Sequence, residues 1–402
     1  MRVLCINCGS STLKFDVLDV STANDAPRRI ASGLIDRVGG EAALSFSVMG
    51  GASQEKQAPV ADHGVAMQEA MSLLNDLGLL AGIDALGHRV VHGGPRFHAP
   101  VLIDDSLIET IQAVSELAPL HNEPALKAIR AARDRLGAVM TMVATFDTAF
   151  FASLPEVASV YALPRDLSEK HSIRRYGFHG LAHRYMVQRF CELRPETQRP
   201  RLITLQLGNG CSATASVAGQ PIDTSMGFTP LEGLIMGTRS GDIDPSLPLY
   251  IAEKEGLSTA EVGALLNTQS GLLGLSGRSH DMRDLLAASK TDDRRAQLAV
   301  EAFCYRAKKY VGAYLAALGG AEAIIFGGGI GQHSPEVRER ICRGLEWAGL
   351  AVDTGVNSLV SSDARISRDG AALEAWVVNV DEAMVVAQDA VECLKSSPRA
   401  TP

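Results

Sequence analysis

The chain is short of long apolar runs, of positive charge and of cysteine, and each shortage removes a class of function. No stretch approaches the roughly 18 apolar residues that a membrane-spanning helix needs, so no membrane partner is expected. Lys and Arg number 38 against 46 Asp and Glu, a formal net charge of −8, and the isoelectric point is near 5.7. A nucleic-acid partner, which shows as a basic stripe, is therefore not expected. An anionic small molecule stays admissible, because a pocket can be basic in an acidic protein. The first residues carry no charged segment followed by an apolar core and a small-residue cleavage site, so no secretory leader is expected. The 7 cysteines are scattered and odd in number, which suits a reducing cytoplasm better than a disulfide framework. Cys5 and Cys8 form a C-x-x-C, but residues three apart on a strand point to opposite faces. Their Cα atoms would lie about 10 Å apart, beyond the ~7 Å a disulfide tolerates. No second pair is present to complete a zinc site.

What remains is an ordinary globular composition, 46% hydrophobic and 21% charged over 402 residues, long enough for two or three domains. Strands alternate with amphipathic helices, the pattern of an α/β protein. The opening residues read as two strands around the turn Gly9-Ser10-Ser11-Thr12. Helices are expected over 69–80, from Pro124 with apolar residues at Leu126, Ile129, Ala132 and Leu136, over 294–318, from Pro335, and over 383–394. Buried strands are expected over 85–91, 139–146, 323–326 and 377–380. Residues 195–200 read as a surface connection and 396–402 as a frayed tail. One internal echo stands out. RVLCINCGSSTLKFDV from Arg2 and RLITLQLGNGCSATAS from Arg201 both run basic residue, apolar strand, glycine turn, second strand, with Gly9 over Gly208 and Asn7 over Gln206. Such an echo is expected of a duplicated unit, with a ligand cleft between the halves.

Several stretches could carry chemistry. A turn rich in Gly and Ser presents consecutive backbone N–H groups, a concavity for anionic oxygens, and Lys14 beside it adds a point charge suited to phosphate. GSSTLK thus reads either as a phosphate grip, with Asn7 available to a metal, or as a plain hairpin tip. In FGGGIGQHSPEVRERI four glycines follow an apolar strand, Ser334 fits an N-cap and Pro335 the first helical position. This suits close approach of a nucleotide, or a simple turn. It is neither a dinucleotide fingerprint nor a P-loop. GHRVVHGG sets Arg89 and His92 at the end of a strand, and MGTRSGDID sets Arg239 in a glycine-flanked loop. Such an Arg can clamp an anion through two N–H groups. His179 and His183 lie four apart, the spacing of zinc ligands, but without the Glu of H-E-x-x-H. Asp242 and Asp244 could bind a divalent ion or build a turn. Asp147 follows a strand, where α/β proteins place catalytic carboxylates.

The runs INCGSSTLKF, GHRVVHGG, PLHN, FDTAF, RRYGFHG, QLGNGCS, DTSMGFTPLEGLIMGTRSGDIDPS, SGLLGLSG, DMRDL, FGGGIGQHS and VDEAM closely resemble the acetate kinase family, in the family's order and along nearly the whole chain. The resemblance implies an α/β, duplicated ribonuclease H-like (actin-like ATPase) fold of two domains around a central cleft. One domain would comprise residues 1–148 with 384–402, the other 149–383. It implies a cytoplasmic homodimer that transfers a phosphoryl group from ATP to acetate, giving ADP and acetyl phosphate, with Mg2+ or Mn2+. By resemblance Asn7 and Glu382 lie near the metal, and Ser10, Thr12 and Lys14 line the phosphate cleft. Arg89 holds the acetate carboxylate, Val91, Leu120, Phe178 and Pro230 enclose its methyl, and His121 sits near the acyl end. Asp147, His179 and Arg239 are catalytic. Gln206, Leu207, Gly208, Asn209, Gly210, Asp281, Met282, Arg283, Gly329, Ile330, Gly331, Gln332 and His333 hold the nucleotide. The chain departs from the family at Gln206, where a His is usual, and at Gln332, where a Glu is common; both lose an ionisable group. Two rival readings are a kinase for propionate or butyrate, and an actin-like nucleotide scaffold without an acyl substrate. The second gives no reason for Arg89, His179 and Arg239 to sit in glycine loops.

Overall fold

The computed structural model describes residues 1–21, 27–115, 119–137 and 139–396, without the side chains at 119–121. The chain divides into two compact units, one comprising Met1–Ala152 with the segment from Asp381, the other Ser153–Val380.

The first unit is built on an eight-stranded sheet. Its strands are β1 (Arg2–Cys8), β2 (Thr12–Asp19), β3 (Arg28–Asp36), β4 (Gly40–Val48), β5 (Gln54–Val60), β6 (Ala85–Val90), β7 (Val101–Leu102) and β8 (Met142–Phe146). They lie in the order β5-β4-β3-β2-β1-β6-β8-β7. The pairs from β1 out to β5 are antiparallel, β1–β6 and β6–β8 are parallel, and β7 closes the edge antiparallel to β8. The five residues of β8 are all buried, as a central strand covered on both faces requires. Helix His63–Asp76 covers one face through Ala66, Met67, Ala70, Met71 and Leu74, a stripe at helical spacing. It starts well before the expected residue 69, because Asp62, outside the apolar stripe, caps it by accepting from the N–H groups of Gly64 and Val65 at 2.9 and 3.1 Å. Helix Pro119–Leu136 holds Pro124 inside it rather than opening on it.

The second unit carries β9 (Arg201–Leu207), β10 (Cys211–Val217), β11 (Gln220–Thr224), β12 (Ala323–Gly327), β13 (Ala364–Arg365) and β14 (Glu374–Val377). Their order is β11-β10-β9-β12-β14-β13. The pairs β9–β10, β10–β11 and β13–β14 are antiparallel, and β9–β12 and β12–β14 are parallel. This repeats β3-β2-β1-β6-β8-β7 strand for strand, including the antiparallel edge. Met186, Val187, Phe190, Leu202, Ile325 and Trp376 form part of its core. Helix Arg294–Leu318 runs from an Asp293 cap to Gly319 at φ 65°, both ends as the sequence expects. The last strand stops at Val377 rather than running over 377–380; the N–H of Asn379 is drawn instead to the Asp363 carboxylate at 2.8 Å.

Candidate active site

In the first unit the register sets Lys14 of β2 and Arg89 of β6 on either side of Asn7 of β1. Directly opposite partners share a face of the sheet, so the three polar side chains line one rung. The turn beside it is closed by the Gly9 N–H on the Thr12 carbonyl at 2.8 Å. Ser10 and Lys14 are exposed at the tip and Thr12 is half-buried. Helix Glu382–Ser396 packs over β1, β6 and β8. It comes so close at β6 that a methyl on Gly87 would stand 2.5 Å from Val386. That approach delivers Glu382 to Arg89, whose Nη1 donates to Glu382 at 3.0 Å and to Asn7 Oδ1 at 3.1 Å. The Asn7 amide donates to Glu382 at 2.9 Å. Asp147, one residue past β8, takes the other edge of the guanidinium, from Nε at 2.9 Å and Nη2 at 2.6 Å. Four of the five N–H groups of Arg89 are thereby engaged within the unit. Burial works against the Arg89 cation, but Asp147 and Glu382 outweigh it and hold its pKa above the usual range. Burial pushes the Glu382 carboxyl up, opposed by Arg89 and reinforced by Asp147. Val91, just past β6, is nearly buried. The side chains of Leu120 and His121 lie outside the described residues.

The second unit builds the corresponding rung differently. The last paired residues of β9 and β10, Leu207 and Cys211, enclose 208–210, one residue fewer than the 9–12 enclosed by the pair Cys8 and Leu13, so Gln206 faces Ser212 rather than Ala213. Its other neighbour is Gly327. Among the described residues the buried Gln206 Oε1 has no hydrogen-bond partner; the same amide turned over would present N–H there. His179 stands just ahead of helix Gly180–Leu193 in the left-handed conformation, φ 58°, which is uncommon for a residue with a Cβ. Its Nδ1 meets Ser212 Oγ at 2.9 Å. Both ring nitrogens of His183 are 2.7 Å from hydroxyls, Nδ1 from Thr204 and Nε2 from Ser212, which leaves neither for zinc. Phe178 is buried beside His179.

Arg239 is placed by a loop that folds on its glycines. Gly233 and Gly241 have φ of 106° and 67°, and a methyl on Gly241 would meet the Leu234 carbonyl at 2.4 Å. Asp242 ties the loop by accepting from Gly233 N–H and Tyr310 O–H, each at 2.7 Å. Asp244 accepts from Ser246 N–H at 2.7 Å; both carboxylates serve the turn. Arg239 Nη1 donates to the Pro230 carbonyl at 2.7 Å, and among the described residues no carboxylate pairs with it. Burial alone draws its pKa down, eased slightly by Cys211. A methyl built on Gly210 would stand 2.7 Å from Arg239 Nη2 and 3.2 Å from His179 Nε2. Both donors therefore flank one point, and only glycine leaves it open.

A cavity of about 480 Å³ opens in the same unit, lined by Gly208, Asn209, His280, Asp281, Met282, Arg283, Leu286, Gly329, Ile330, His333 and Ser334. It gathers the second hairpin tip, the Asp281 segment and the glycine turn. Gly328, at φ 74°, would place a methyl 2.5 Å from the Leu207 carbonyl, so glycine is needed to bring turn and hairpin together. Of the other expected nucleotide residues, Gln206, Leu207, Gly210, Gly331 and Gln332 do not line the cavity; Gln332 donates to the Val378 carbonyl at 3.1 Å. His280, Leu286 and Ser334 were missed in the sequence. Leu286 was accessible, four residues from Met282 on helix Met282–Ser289.

The acetokinase family model matches residues 2–388. The chain belongs to the acetokinase family. It is 48% identical to the acetate kinase of Solibacter usitatus (strain Ellin6076), over 99% of both chains. The crystal structure of Porphyromonas gingivalis acetate kinase superposes with a TM-score of 0.89 at 38% identity, over 98% of this chain and 99% of that one. A propionate kinase from Francisella tularensis subsp. tularensis SCHU S4 gives 0.90 at 36% identity, over 96% and 98%.

Proposed function

We propose that this protein transfers the terminal phosphoryl group of ATP to the carboxylate of acetate, reversibly, giving ADP and acetyl phosphate. Family membership gives the reaction class, a kinase acting on a carboxylate with ATP or ADP as co-substrate. The observation that carries the reading is Arg239 and His179 meeting over Gly210 with, among the described residues, no carboxylate on the guanidinium. Phosphoryl transfer is chiefly positioning and charge stabilisation. A desolvated, unpaired guanidinium beside an imidazole is suited to the equatorial oxygens of a group in flight. The 480 Å³ cavity beside the hairpin tip takes the nucleoside. Arg89 has one N–H left for the acetate carboxylate, and Asp147 holds its plane. Acetate is already ionised at neutral pH, so no base has to take a proton from it.

The residues of the first unit also fit a magnesium ion. Asp147 and Glu382 bring two carboxylates against one guanidinium, and with Asn7 Oδ1 beside them they make an all-oxygen donor set. Mg2+ binds typically through one or two carboxylates plus phosphate oxygens and water. Glu382 and Asn7 would hold it; when bound it neutralises charge on the nucleotide phosphates. Mn2+ would be accepted by the same donors.

A coupled hydroxamate assay tests the reading. Acyl phosphate forms only with acetate and Mg-ATP together; well-folded protein that yields none overturns it. The likeness to a propionate kinase gives the second reading its footing. One methylene shifts selectivity by only ~1–3 kcal/mol, and kcat/KM on the two- and three-carbon acids decides between them. We propose further that the protein works in the cytoplasm as a homodimer. Its seven cysteines, none in a disulfide, suit a reducing compartment. Val157, Val160, Leu163 and Leu167 around the short helices Glu156–Ser159 and Arg165–Lys170 are exposed, an apolar surface that a second copy would cover. Sedimentation that reports a monomer at micromolar concentration overturns the dimer.

A further inference from the structure

Thr204, His183 and Ser212 form a line of fully buried polar groups that ends on His179. The steps are 2.7 Å from Thr204 Oγ1 to His183 Nδ1, 2.7 Å from His183 Nε2 to Ser212 Oγ, and 2.9 Å from Ser212 Oγ to His179 Nδ1. The atoms nearest the point over Gly210 belong to Arg239 and His179, and the phosphoryl reading assigns no role to Thr204, His183 or Ser212.

We infer that Thr204, His183 and Ser212 are a positioning relay that keeps the proton of His179 on Nε2, so that His179 meets the phosphoryl group as a neutral hydrogen-bond donor. The inference rests on the reading of His179 given above. It follows from counting protons. Burial pushes the His183 pKa down to about 3, so at neutral pH the ring carries one proton for two nitrogens. Each hydroxyl also has one proton, and the direction of one bond fixes the direction of all. The Thr204 hydroxyl has two acceptors within reach, His183 Nδ1 at 2.7 Å and the Thr214 carbonyl at 3.4 Å. The second is at the outer limit of a hydrogen bond, so the proton goes to His183. His183 then donates from Nε2 to Ser212, and Ser212 donates to His179 Nδ1. A bare Nδ1 on a neutral ring leaves the proton on Nε2, the nitrogen beside Arg239.

The charges around the ring favour the same state. Arg239 faces Nε2 from the glycine loop, and its positive charge disfavours an imidazolium. Cys211 at the start of β10 is uncharged, its thiol pushed up to about 12 by burial. His183 on the adjoining helix is neutral. The reverse direction of the relay would leave a bare Nε2 lone pair facing an incoming anion.

The test is 15N NMR of the imidazoles in the full-length protein at pH 7, with the His179 signal identified by its loss in His179→Asn. One protonated nitrogen, Nε2, is expected. A proton on Nδ1, or on both nitrogens, overturns the inference. Ser212→Ala is expected to give His179 a mixture of tautomers and to lower kcat about tenfold, the size of one hydrogen bond, with KM for ATP and acetate changed less than about twofold. Thr204→Val, similar in shape and remote from His179, should move the same signal with about a threefold loss, and Thr204→Ser should restore both. An unmoved His179 signal in Ser212→Ala also overturns it. Wild-type protein that makes no acyl phosphate sinks the phosphoryl reading and leaves the tautomer measurement standing. Active protein with the proton on Nδ1 sinks the relay alone.

Discussion

Arg89 and Arg239 are both sheltered, both beside a glycine hairpin of the same strand order, and opposite in electrostatic state. The first is gripped on both edges by Asp147 and Glu382. The second touches a backbone carbonyl and, among the described residues, no carboxylate. Duplicated backbone topology therefore did not duplicate the chemistry. In the first unit the rung Lys14–Asn7–Arg89 is charged and already compensated, with one N–H of Arg89 remaining. In the second the rung Ser212–Gln206–Gly327 is neutral, and the cation arrives from a loop and meets no carboxylate among the described residues. A buried ion without a partner is held at a cost in stability. The gain is attraction for whatever anion completes the pair.

The same truncation on the two arginines sharpens that contrast most. Arg89→Ala leaves two carboxylates facing each other, and breaking such a pair is expected to cost about 3–5 kcal/mol of stability, read as a fall in the urea midpoint and partly restored by millimolar Mg2+. Arg239→Ala is expected to reduce kcat on the order of a hundredfold or more, about 3 kcal/mol of transition-state stabilisation, while the urea midpoint does not fall. If both variants lose stability alike, the distinction between a paired and an unpaired cation is wrong. Acid should act on both units. Burial pushes His88 of β6 and His183 down to about 3 from 6.5. The unfolded chain takes up those protons below 6.5 and the folded chain does not, so stability is complete above pH 6.5 and is lost as pH falls toward 3. The expected slope is about 1.4 kcal/mol per pH unit for each histidine; His88→Gln should remove one share of it, measured as urea midpoints between pH 7.5 and 5.5. Smallest is Gly210→Ala. Its methyl would press on Arg239 Nη2 and His179, both able to shift slightly, and kcat should fall about tenfold with unchanged thermal stability.

Much of this was legible in the residues. The 294–318 helix was bounded by its own cap and glycine, and the two hairpins by strand-turn-strand patterns. The family motifs carried the site residues as expectations. Other features were not legible, for physical reasons. Asp62 extends a helix beyond its apolar stripe, and an apolar stripe was the signal being read. The echo between hairpins was laid out without a gap, whereas the second turn is one residue shorter; on a strand that moves the facing residue from Ala213 to Ser212. The grip on both edges of Arg89 is not written in GHRVVHGG, because Asp147 and Glu382 reach it from 58 and 293 residues away.

Local pattern by itself determined the alternation of strands and helices, the glycines at positive φ, the positions of cations in turns and, through its motifs, the family. Those depend on periodicity and backbone sterics, which act over a few residues. Only the tertiary structure decided which arginine is paired with carboxylates, and which hydroxyls stand against the ring nitrogens of His179 and His183. Charge and hydrogen-bond direction depend on neighbours brought together through space, and no stretch of sequence contains its own neighbours across a sheet.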